Sequence, residues 1–188
     1  MRITGGQSRG RRLKRPRAAR LRPTSSRVRE ALFDILGARI RGALFLDLFA
    51  GTGAVGIEAL SRGAQSAVLV ETDPLAVHLI EANLSLGGRP AAGEVVPLPA
   101  RAAVAALRRR GLRFSVVFLD PPYAAGPVAE VLRAAAGLVA PGGVLVLEHR
   151  SQTSVDLPAS PWLRPGRVYR YGDTSLTVLH RLGTPEEE

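Results

Sequence analysis

The sequence has no cysteine, which excludes disulfide bonds and cysteine-ligated zinc sites. Its three histidines, His78, His149 and His180, lack the spacing of metal ligands, so no metal is expected. No apolar run reaches the roughly 18 to 20 residues that a membrane-spanning helix needs. The basic start of the chain has no apolar segment behind it, which argues against a secretory signal. We therefore expect a cytoplasmic protein that binds neither a membrane nor a metal.

Lysine is almost missing as well, because Lys14 is the only lysine among 26 basic residues. The net charge of +10 is concentrated at one end of the chain. Residues 1–41 hold 13 Lys and Arg against 2 Asp and Glu, whereas the remainder is nearly neutral. A local excess of arginine is typical of a surface that binds nucleic-acid phosphates. A solubilising segment or an arginine-rich genome would give the same composition, so these alternatives stay open.

The pattern of apolar residues predicts an α/β fold. From residue 43 onward, continuous runs of Val, Leu and Phe alternate with segments of helical spacing. Strands of this composition are buried on both faces, as in a parallel sheet with helices on both sides. The predicted strands cover residues 43–49, 66–72, 94–98, 114–120 and 143–148, and the helices between them cover 54–62, 74–86, 100–110 and 127–139. Two final strands, near 167–171 and 175–180, predict a closing antiparallel hairpin.

The length of 188 residues favours a single main domain. We assign residues 1–25 to a small basic hairpin or arm, residues 26–182 to the main domain and residues 183–188 to a frayed acidic tail. Ser25 or Ser26 can cap a helix that begins near Arg27 and packs on the main domain.

A glycine-rich loop follows the first predicted strand. In Asp47-Leu-Phe-Ala-Gly51-Thr-Gly53-Ala-Val-Gly56, the glycines allow a tight turn and the close approach of a ligand. Glu71 ends the next strand, where its carboxylate can accept hydrogen bonds from ribose hydroxyls. Asp47 favours S-adenosylmethionine, because an acid at that strand end would attract the cationic end of this cofactor and repel a pyrophosphate. A nicotinamide or flavin dinucleotide remains an alternative, as do glycines that serve only packing.

The tetrapeptide Asp120-Pro-Pro-Tyr123 follows the buried run of residues 114–119. An exocyclic amine on a nucleobase is a poor nucleophile, because its lone pair is delocalised into the ring. Asp120 and the Pro121 carbonyl can accept both amine hydrogens and so direct the lone pair toward a methyl donor. The pair Pro121-Pro122 restricts the backbone, and Tyr123 can stack on the base. The motif predicts methylation of a base amine; a simple strand-ending turn is the alternative.

With these motifs the chain resembles the Class I S-adenosylmethionine-dependent methyltransferases. More narrowly, it resembles the bacterial small-subunit ribosomal RNA guanine-N2 methyltransferases of the RsmD type. The resemblance covers nearly the whole chain and rests on residues 1–6, 9–11, 22–33, 47–53, 118–123, 148–149 and 171–173. It implies a Rossmann-like, seven-stranded sheet and methyl transfer to guanine N2 of 16S rRNA, in an assembled or assembling small subunit.

The resemblance also implies roles for individual residues. The cofactor would contact Asp47, Phe49, Gly51, Gly53, Glu71, Thr72, Ala100 and Asp120. The base would be held by Asp120, Pro121, Pro122 and Tyr123. The RNA would meet Arg9, Arg11, Arg12, Arg22, Thr24, Arg27, Arg29 and Tyr123. One departure is Pro99, which stands where the family usually has an acid near the adenine. We therefore expect that the contact to the adenine amine is lost or is made by a backbone carbonyl, while Ala100 still offers its N–H.

Two other classes of function stay open. One is a methyltransferase that acts on DNA adenine or cytosine, or on a protein glutamine. A DNA enzyme would usually carry a sizeable target-recognition segment, and a glutamine enzyme would favour asparagine in place of Asp120. The other is a non-catalytic rRNA-binding assembly factor that keeps the fold. Because no long amphipathic stretch is left unassigned, we expect a monomer.

Overall fold

The computed structural model describes residues 1–15, 25–122, 128–153 and 163–183. These residues form five α-helices and seven strands. The helices are α1 (Ser26–Leu36), α2 (Ala54–Ser61), α3 (Pro74–Gly87), α4 (Ala100–Arg109) and α5 (Val128–Ala136). The strands are β1 (Leu44–Asp47), β2 (Ser66–Val70), β3 (Gly93–Val96), β4 (Phe114–Leu119), β5 (Val139–Arg150), β6 (Leu163–Tyr171) and β7 (Thr174–Arg181). No helix in these ranges is long and apolar enough to cross a membrane.

The strands form one sheet in the order β3-β2-β1-β4-β5-β7-β6. Strands β1 to β5 are parallel to their neighbours, whereas β7 runs antiparallel between β5 and β6. From β1 the chain continues to β2 and β3 on one side of the sheet, and from β4 it continues to β5 on the other side. The connections after these two strands therefore diverge and leave a crevice at their carboxyl ends, where ligands bind in open α/β sheets. The mostly parallel sheet and the antiparallel C-terminal hairpin confirm the predicted fold class.

Helices cover both faces of the sheet, as the apolar runs predicted. One buried cluster joins α1, α2 and α3 to the face that carries Phe45, Phe118 and Val146. The second cluster joins α4 and α5 to the opposite face, which carries Leu46 and Leu119. Because side chains alternate along a strand, the face of a residue beyond a strand end can be read from the residue two positions before it.

The boundary between α5 and β5 differs from the prediction. The pattern predicted a helix as far as Val139 and a strand that begins at Gly143, but α5 ends at Ala136 and β5 begins at Val139. The Phe114 N–H donates to the Leu138 carbonyl at 2.8 Å, which draws this segment into the sheet. The pairing between β4 and β5 then shifts register, a bulge that single-sequence periodicity does not reveal.

The first 13 residues form a short antiparallel hairpin that packs along α2 and α3. Arg2 pairs with Arg12, and the buried side chains of Ile3 and Leu13 join the core. The turn of the hairpin contacts the ends of both helices, since Ser8 donates to the Gly87 carbonyl at 2.6 Å and its N–H donates to Ser61 Oγ at 2.9 Å. A Cβ on Gly6 would lie 1.9 Å from the Ser61 carbonyl oxygen, so this approach requires glycine.

A buried ion pair fixes the hairpin and α1 to α2. Glu58 is fully buried, and its Oε2 accepts from Arg29 Nε at 2.6 Å. The same carboxylate accepts from Arg62 at 2.9 Å and from the backbone and side chain of Thr4. Arg29 also donates to the Arg2 carbonyl at 2.7 Å. The Glu58 carboxylate therefore holds the hairpin, α1 and α2 together. Both of its oxygens have hydrogen-bond partners inside the protein.

Removing Arg29 should destabilise the protein strongly. The variant Arg29→Met leaves Glu58 with Arg62 alone as its charged partner, so we expect a loss of about 3 kcal/mol in the free energy of unfolding. Urea denaturation measures this quantity directly. The matched control is Arg27→Met on the same helix, where an exposed side chain should change stability by less than about 0.5 kcal/mol. Equal effects of the two substitutions would contradict the assigned role of the ion pair.

Candidate active site at the carboxyl ends of the sheet

Three carboxylates meet at the crevice between β1, β4 and β5. Asp47 ends β1, Asp120 follows β4, and Glu148 lies near the end of β5. By alternation they follow Phe45, Phe118 and Val146 and thus share the face covered by α1, α2 and α3. Leu119 and Leu147 are register partners, so Asp120 and Glu148 lie side by side on neighbouring strands. The crevice is therefore strongly acidic at its floor.

Asp47 is buried, with 1% of its surface exposed. Its pKa is raised to about 7, mainly by burial and also by the charges of Asp120 and Glu71, against the opposing effect of hydrogen bonds from the Phe49 and Gly56 amides. The Phe49 N–H donates to Asp47 Oδ1 at 3.4 Å. A carboxylate in this setting gains from a cationic partner, because a positive charge would offset both the desolvation and the neighbouring acids.

Glu148 belongs to the residues that carry the resemblance, but the sequence analysis gave it no role in the site. It is 6% exposed, and its pKa is raised to about 8, mainly by burial and also by the charges of Asp120 and Asp47. Within the described part of the chain, its Oε2 has no hydrogen-bond partner. The sequence signal was weak, since Glu148 stands in a plain strand pattern and reaches the site only through the register of β5 on β4. The neighbouring His149 has structural partners instead, with Nε2 2.8 Å from Thr177 Oγ1 and Nδ1 2.9 Å from the Arg150 carbonyl.

The glycine loop adopts the conformation that its sequence predicts. Gly51 and Gly53 have φ angles of 53° and 75°, a region that residues with side chains rarely adopt. Glu71 Oε2 accepts from the Gly51 N–H at 2.9 Å, so the loop and the end of β2 do meet. Its Oε1 accepts from the N–H groups of Thr72 at 2.7 Å and of Asp73 at 3.0 Å, which uses both lone pairs of that oxygen. Oε2 accepts from Gly51 and keeps one lone pair for a ligand.

The groups around this loop are suited to a nucleoside-bearing ligand. A Cβ on Gly51 would meet no atom within 4 Å, so the loop faces open space. Leu75 and Leu98 follow β2 and β3 at the same edge and are 79% and 37% exposed, which offers apolar surface to a flat ring. Pro99 caps α4 without a side-chain hydrogen bond, so the helix start at Ala100 still offers backbone N–H groups. Phe49 is half-buried beside the loop.

Most of the residues predicted to hold the base lie at this site. Asp120 is half-buried, Pro121 is buried and Pro122 is exposed, directly after β4. Asp120 lies close enough to both Asp47 and Glu148 to raise their pKa values. Tyr123 lies outside the described residues, and its stacking role stays a prediction.

The residues predicted to contact RNA fall into separate groups. Arg12 and Arg27 are exposed, whereas Arg22 and Thr24 lie outside the residues that the structure describes. Arg29 was predicted to contact RNA, but it is 1% exposed and its guanidinium is held by Glu58. Although it lines the basic pocket described below, it contributes charge there and not a free hydrogen-bond donor. The sequence suggested an RNA contact because Arg29 belongs to a basic segment. The pattern of charges along the chain does not distinguish an arginine in a buried ion pair from an exposed one.

Two more of these arginines lie at the opposite edge of the sheet. Arg9 stands in the turn of the hairpin, and Arg11 donates to the Leu86 carbonyl at the end of α3. Because α3 starts after β2 and ends before β3, this carbonyl marks the amino edge of the sheet. Arg9 and Arg11 are therefore not brought to Asp120.

A basic pocket of about 590 Å³ lies nearer to the start of α1. Among its lining residues are Arg2, Arg12, Arg15, Ser25 and Ser26. The charges of Arg15, Arg29, Arg2 and Arg12 act together with burial to lower the pKa of the Met1 amine, which reports a positive potential there. Arg15, which the sequence analysis did not single out, belongs to this group.

The sequence and fold of this chain are similar to those of known proteins. The family model described as Conserved hypothetical protein 95 matches residues 1–180. Putative rRNA methyltransferase YlbH of Bacillus subtilis is 33% identical over 97% of this chain and 100% of its own length. Ribosomal RNA small subunit methyltransferase D of Escherichia coli is 42% identical over 70% of this chain, and the match spans 65% of that protein, just under two thirds. The solved structure of putative methyltransferase yhhF from Escherichia coli has a TM-score of 0.84 and 33% identity, over 98% of this chain and 99% of that one.

The acidic site should make stability depend on pH. Because folding raises the pKa values of Asp47 and Glu148, the folded state binds their protons more tightly than the unfolded chain does. The resulting stabilisation is complete below about pH 4 and is lost as the pH rises through about 7 and about 8. We expect Glu148→Gln to flatten the fall in the free energy of unfolding between about pH 5 and pH 8, measured by urea denaturation. The exposed control Glu81→Gln should keep the wild-type slope, and the same slope in all three proteins would refute the assignment.

Proposed function

Because this chain belongs to the family of Conserved hypothetical protein 95, the RsmD-type rRNA methyltransferases, we infer that it methylates rRNA with S-adenosylmethionine as donor. We propose further that the target is the exocyclic N2 amine of a guanine in 16S rRNA. The observation that carries this proposal is the position of Asp120 and Pro121, beside the glycine loop and at the point where the strand order reverses.

The residues at the glycine loop fit this cofactor. S-adenosylmethionine supplies an electrophilic methyl group on a sulfonium. The ammonium group of S-adenosylmethionine would lie at Asp47, where its positive charge would reduce the repulsion among the carboxylates. Glu71 would accept from a ribose hydroxyl with the remaining lone pair of Oε2, and Ala100 would offer an N–H to the adenine. Leu75 and Leu98 would cover the faces of the ring, which compensates for an acid missing at Pro99.

The base would be held at the end of β4. Asp120 and the Pro121 carbonyl would accept the two N2 hydrogens, which would leave the nitrogen lone pair directed toward the methyl donor. The nitrogen would gain the methyl group and the positive charge as the carbon–sulfur bond of the sulfonium breaks and neutral S-adenosylhomocysteine leaves. It would return to neutrality when one of its protons passes to Asp120. Tyr123 would stack on the base. The acidic floor of the crevice also favours the cationic product of the transfer step.

The RNA backbone would approach over the basic pocket at the start of α1. This pocket and the acidic crevice lie on the same side of the sheet, the side that α1 covers. We assign the phosphate contacts to Arg12, Arg15 and Arg27, which are exposed, and retain Arg22 and Thr24 as predictions. Arginine matches this role because its planar group donates two parallel hydrogen bonds to a phosphate.

The biological setting follows from the proposed substrate. We propose that the protein acts as a monomer on 16S rRNA within an assembled or assembling small subunit. Ribosomal subunits of bacteria are built in the cytoplasm, which is the compartment we assign to the protein.

Transfer of labelled methyl from S-adenosylmethionine tests the proposal. The substrates are small subunits from cells that lack this protein, naked 16S rRNA and duplex DNA. We expect label on the RNA as N2-methylguanine, with a fall of at least about 100-fold in Asp120→Ala, because one of the two acceptors is lost. The difference between subunits and naked rRNA shows whether assembly is required. Label on DNA would favour the DNA-methyltransferase alternative, and tight rRNA binding without any label would favour the non-catalytic binder.

The position of the basic pocket predicts which arginines matter for RNA affinity. Arg12→Gln and Arg15→Gln should each weaken binding to the subunit and reduce the dependence of log Kd on log salt by about 1. Filter binding from 50 to 200 mM salt gives both quantities. The matched control Arg9→Gln removes an equal charge at the other edge of the sheet and should leave affinity nearly unchanged. An equal loss in all three variants would mean that only net charge matters.

A further inference from the structure

Glu148 is the buried acid of the site to which the proposed mechanism gives no task. It lies within the described core with 6% exposure, and its Oε2 has no hydrogen-bond partner among the described residues. Leaving such a group unpaired costs free energy, so it is a sign of a partner that arrives with a ligand. The proposed transfer step assigns it no direct contact with the base, because Asp120 and Pro121 already account for both N2 hydrogens.

The register of the sheet places Glu148 beside the amine acceptor. Leu119 pairs with Leu147 in a parallel ladder, so Asp120 and Glu148 occupy equivalent places on strands about 4.8 Å apart. Both follow residues of the same buried cluster, Phe118 and Val146, and so project from the same face. Their charges interact directly, since Asp120 contributes to the raised pKa of Glu148. A flat base that reaches Asp120 with one group therefore presents the neighbouring group of its edge to Glu148.

The edge of guanine fits this pair of acceptors. Guanine has two adjacent donors, the N2 amine and the N1–H, followed by the O6 acceptor. Adenine has a bare lone pair at N1, which a carboxylate repels. Resting on the guanine-N2 activity proposed above, we propose that Glu148 accepts the N1–H of the target base and is the residue that selects guanine.

This role holds in either protonation state of Glu148. As a carboxylate, it accepts from N1–H and gains a charge-assisted hydrogen bond. As a neutral acid, its carbonyl oxygen accepts from N1–H while its hydroxyl donates to O6. In both states guanine satisfies the orphaned oxygen. A base without N1–H leaves the carboxylate unsatisfied, and with the neutral acid it makes one hydrogen bond, from the hydroxyl to N1, where guanine makes two. Selection against the wrong base thus comes from an unmade hydrogen bond inside a buried site.

The test pairs enzyme variants with a matched base analogue. The target guanine, located first with the wild-type enzyme, is replaced by 2-aminopurine in rRNA assembled into small subunits. 2-Aminopurine keeps the amine to be methylated but lacks N1–H and O6. Single-turnover rates are measured for both substrates with wild type, Glu148→Leu and Glu148→Gln. Glu81→Leu is an exposed control, and binding of S-adenosylhomocysteine confirms an intact cofactor site in every variant.

We expect the wild type to prefer guanine over 2-aminopurine by roughly 10- to 100-fold, the scale of one buried hydrogen bond. Glu148→Leu should lose this preference by slowing only the reaction with guanine. Glu148→Gln should retain most of the preference, because its amide oxygen accepts N1–H and its amide nitrogen donates to O6. An equal slowing of both substrates in Glu148→Leu, or no slowing of either, would overturn the proposal. If the wild type methylates neither substrate, the guanine-N2 activity itself fails, which is a different outcome.

Discussion

The buried contact between Arg29 and Glu58 is the constraint on which the functional face depends. Glu58 lies in the middle of α2, the helix that directly follows the glycine loop. Glu58 fixes α1 through Arg29 and fixes the hairpin through Thr4, and Arg29 itself donates to the Arg2 carbonyl of the hairpin. Buried ion pairs gain little net free energy over well-packed apolar residues, but they penalise wrong arrangements heavily. The pair therefore determines where α1 and the hairpin lie over the site, and it adds little net stability relative to an apolar pair of residues in the same place.

A second principle of the site is the concentration of like charge away from water. Asp47, Asp120 and Glu148 share one face, and two of them have pKa values near or above neutrality. The crevice therefore does not hold three full negative charges at neutral pH. Its charge can instead change with the ligand. A bound cation lowers the pKa of the carboxyl groups so that they lose their protons, whereas a neutral base binds while they stay protonated. This adaptability suits a reaction in which positive charge passes from a donor to an acceptor nitrogen.

Local sequence patterns predicted much of the fold and about half of the site. The glycine loop, Glu71 and Asp120 each follow a strand, and parallel strands bring their carboxyl ends to one edge, so their meeting followed from the pattern alone. Glu148 and the start of β5 did not follow, because both depend on the register and bulge between β4 and β5, which are long-range properties. Arg29 misled for a similar reason: its buried partner lies 29 residues away, and nothing in its own helix marks it.

The docking of the hairpin has a consequence for how the chain folds. Its contacts with α2 and α3 span 53 to 79 residues of sequence, so its partners are synthesised long after it. A hairpin of two short strands is at best marginally stable by itself. During translation this arginine-rich segment therefore leaves the ribosome without a folded surface to cover, and it remains exposed until Gly87 has emerged. The hairpin is thus ordered only after the two helices that follow it, and its docking is a step of high contact order.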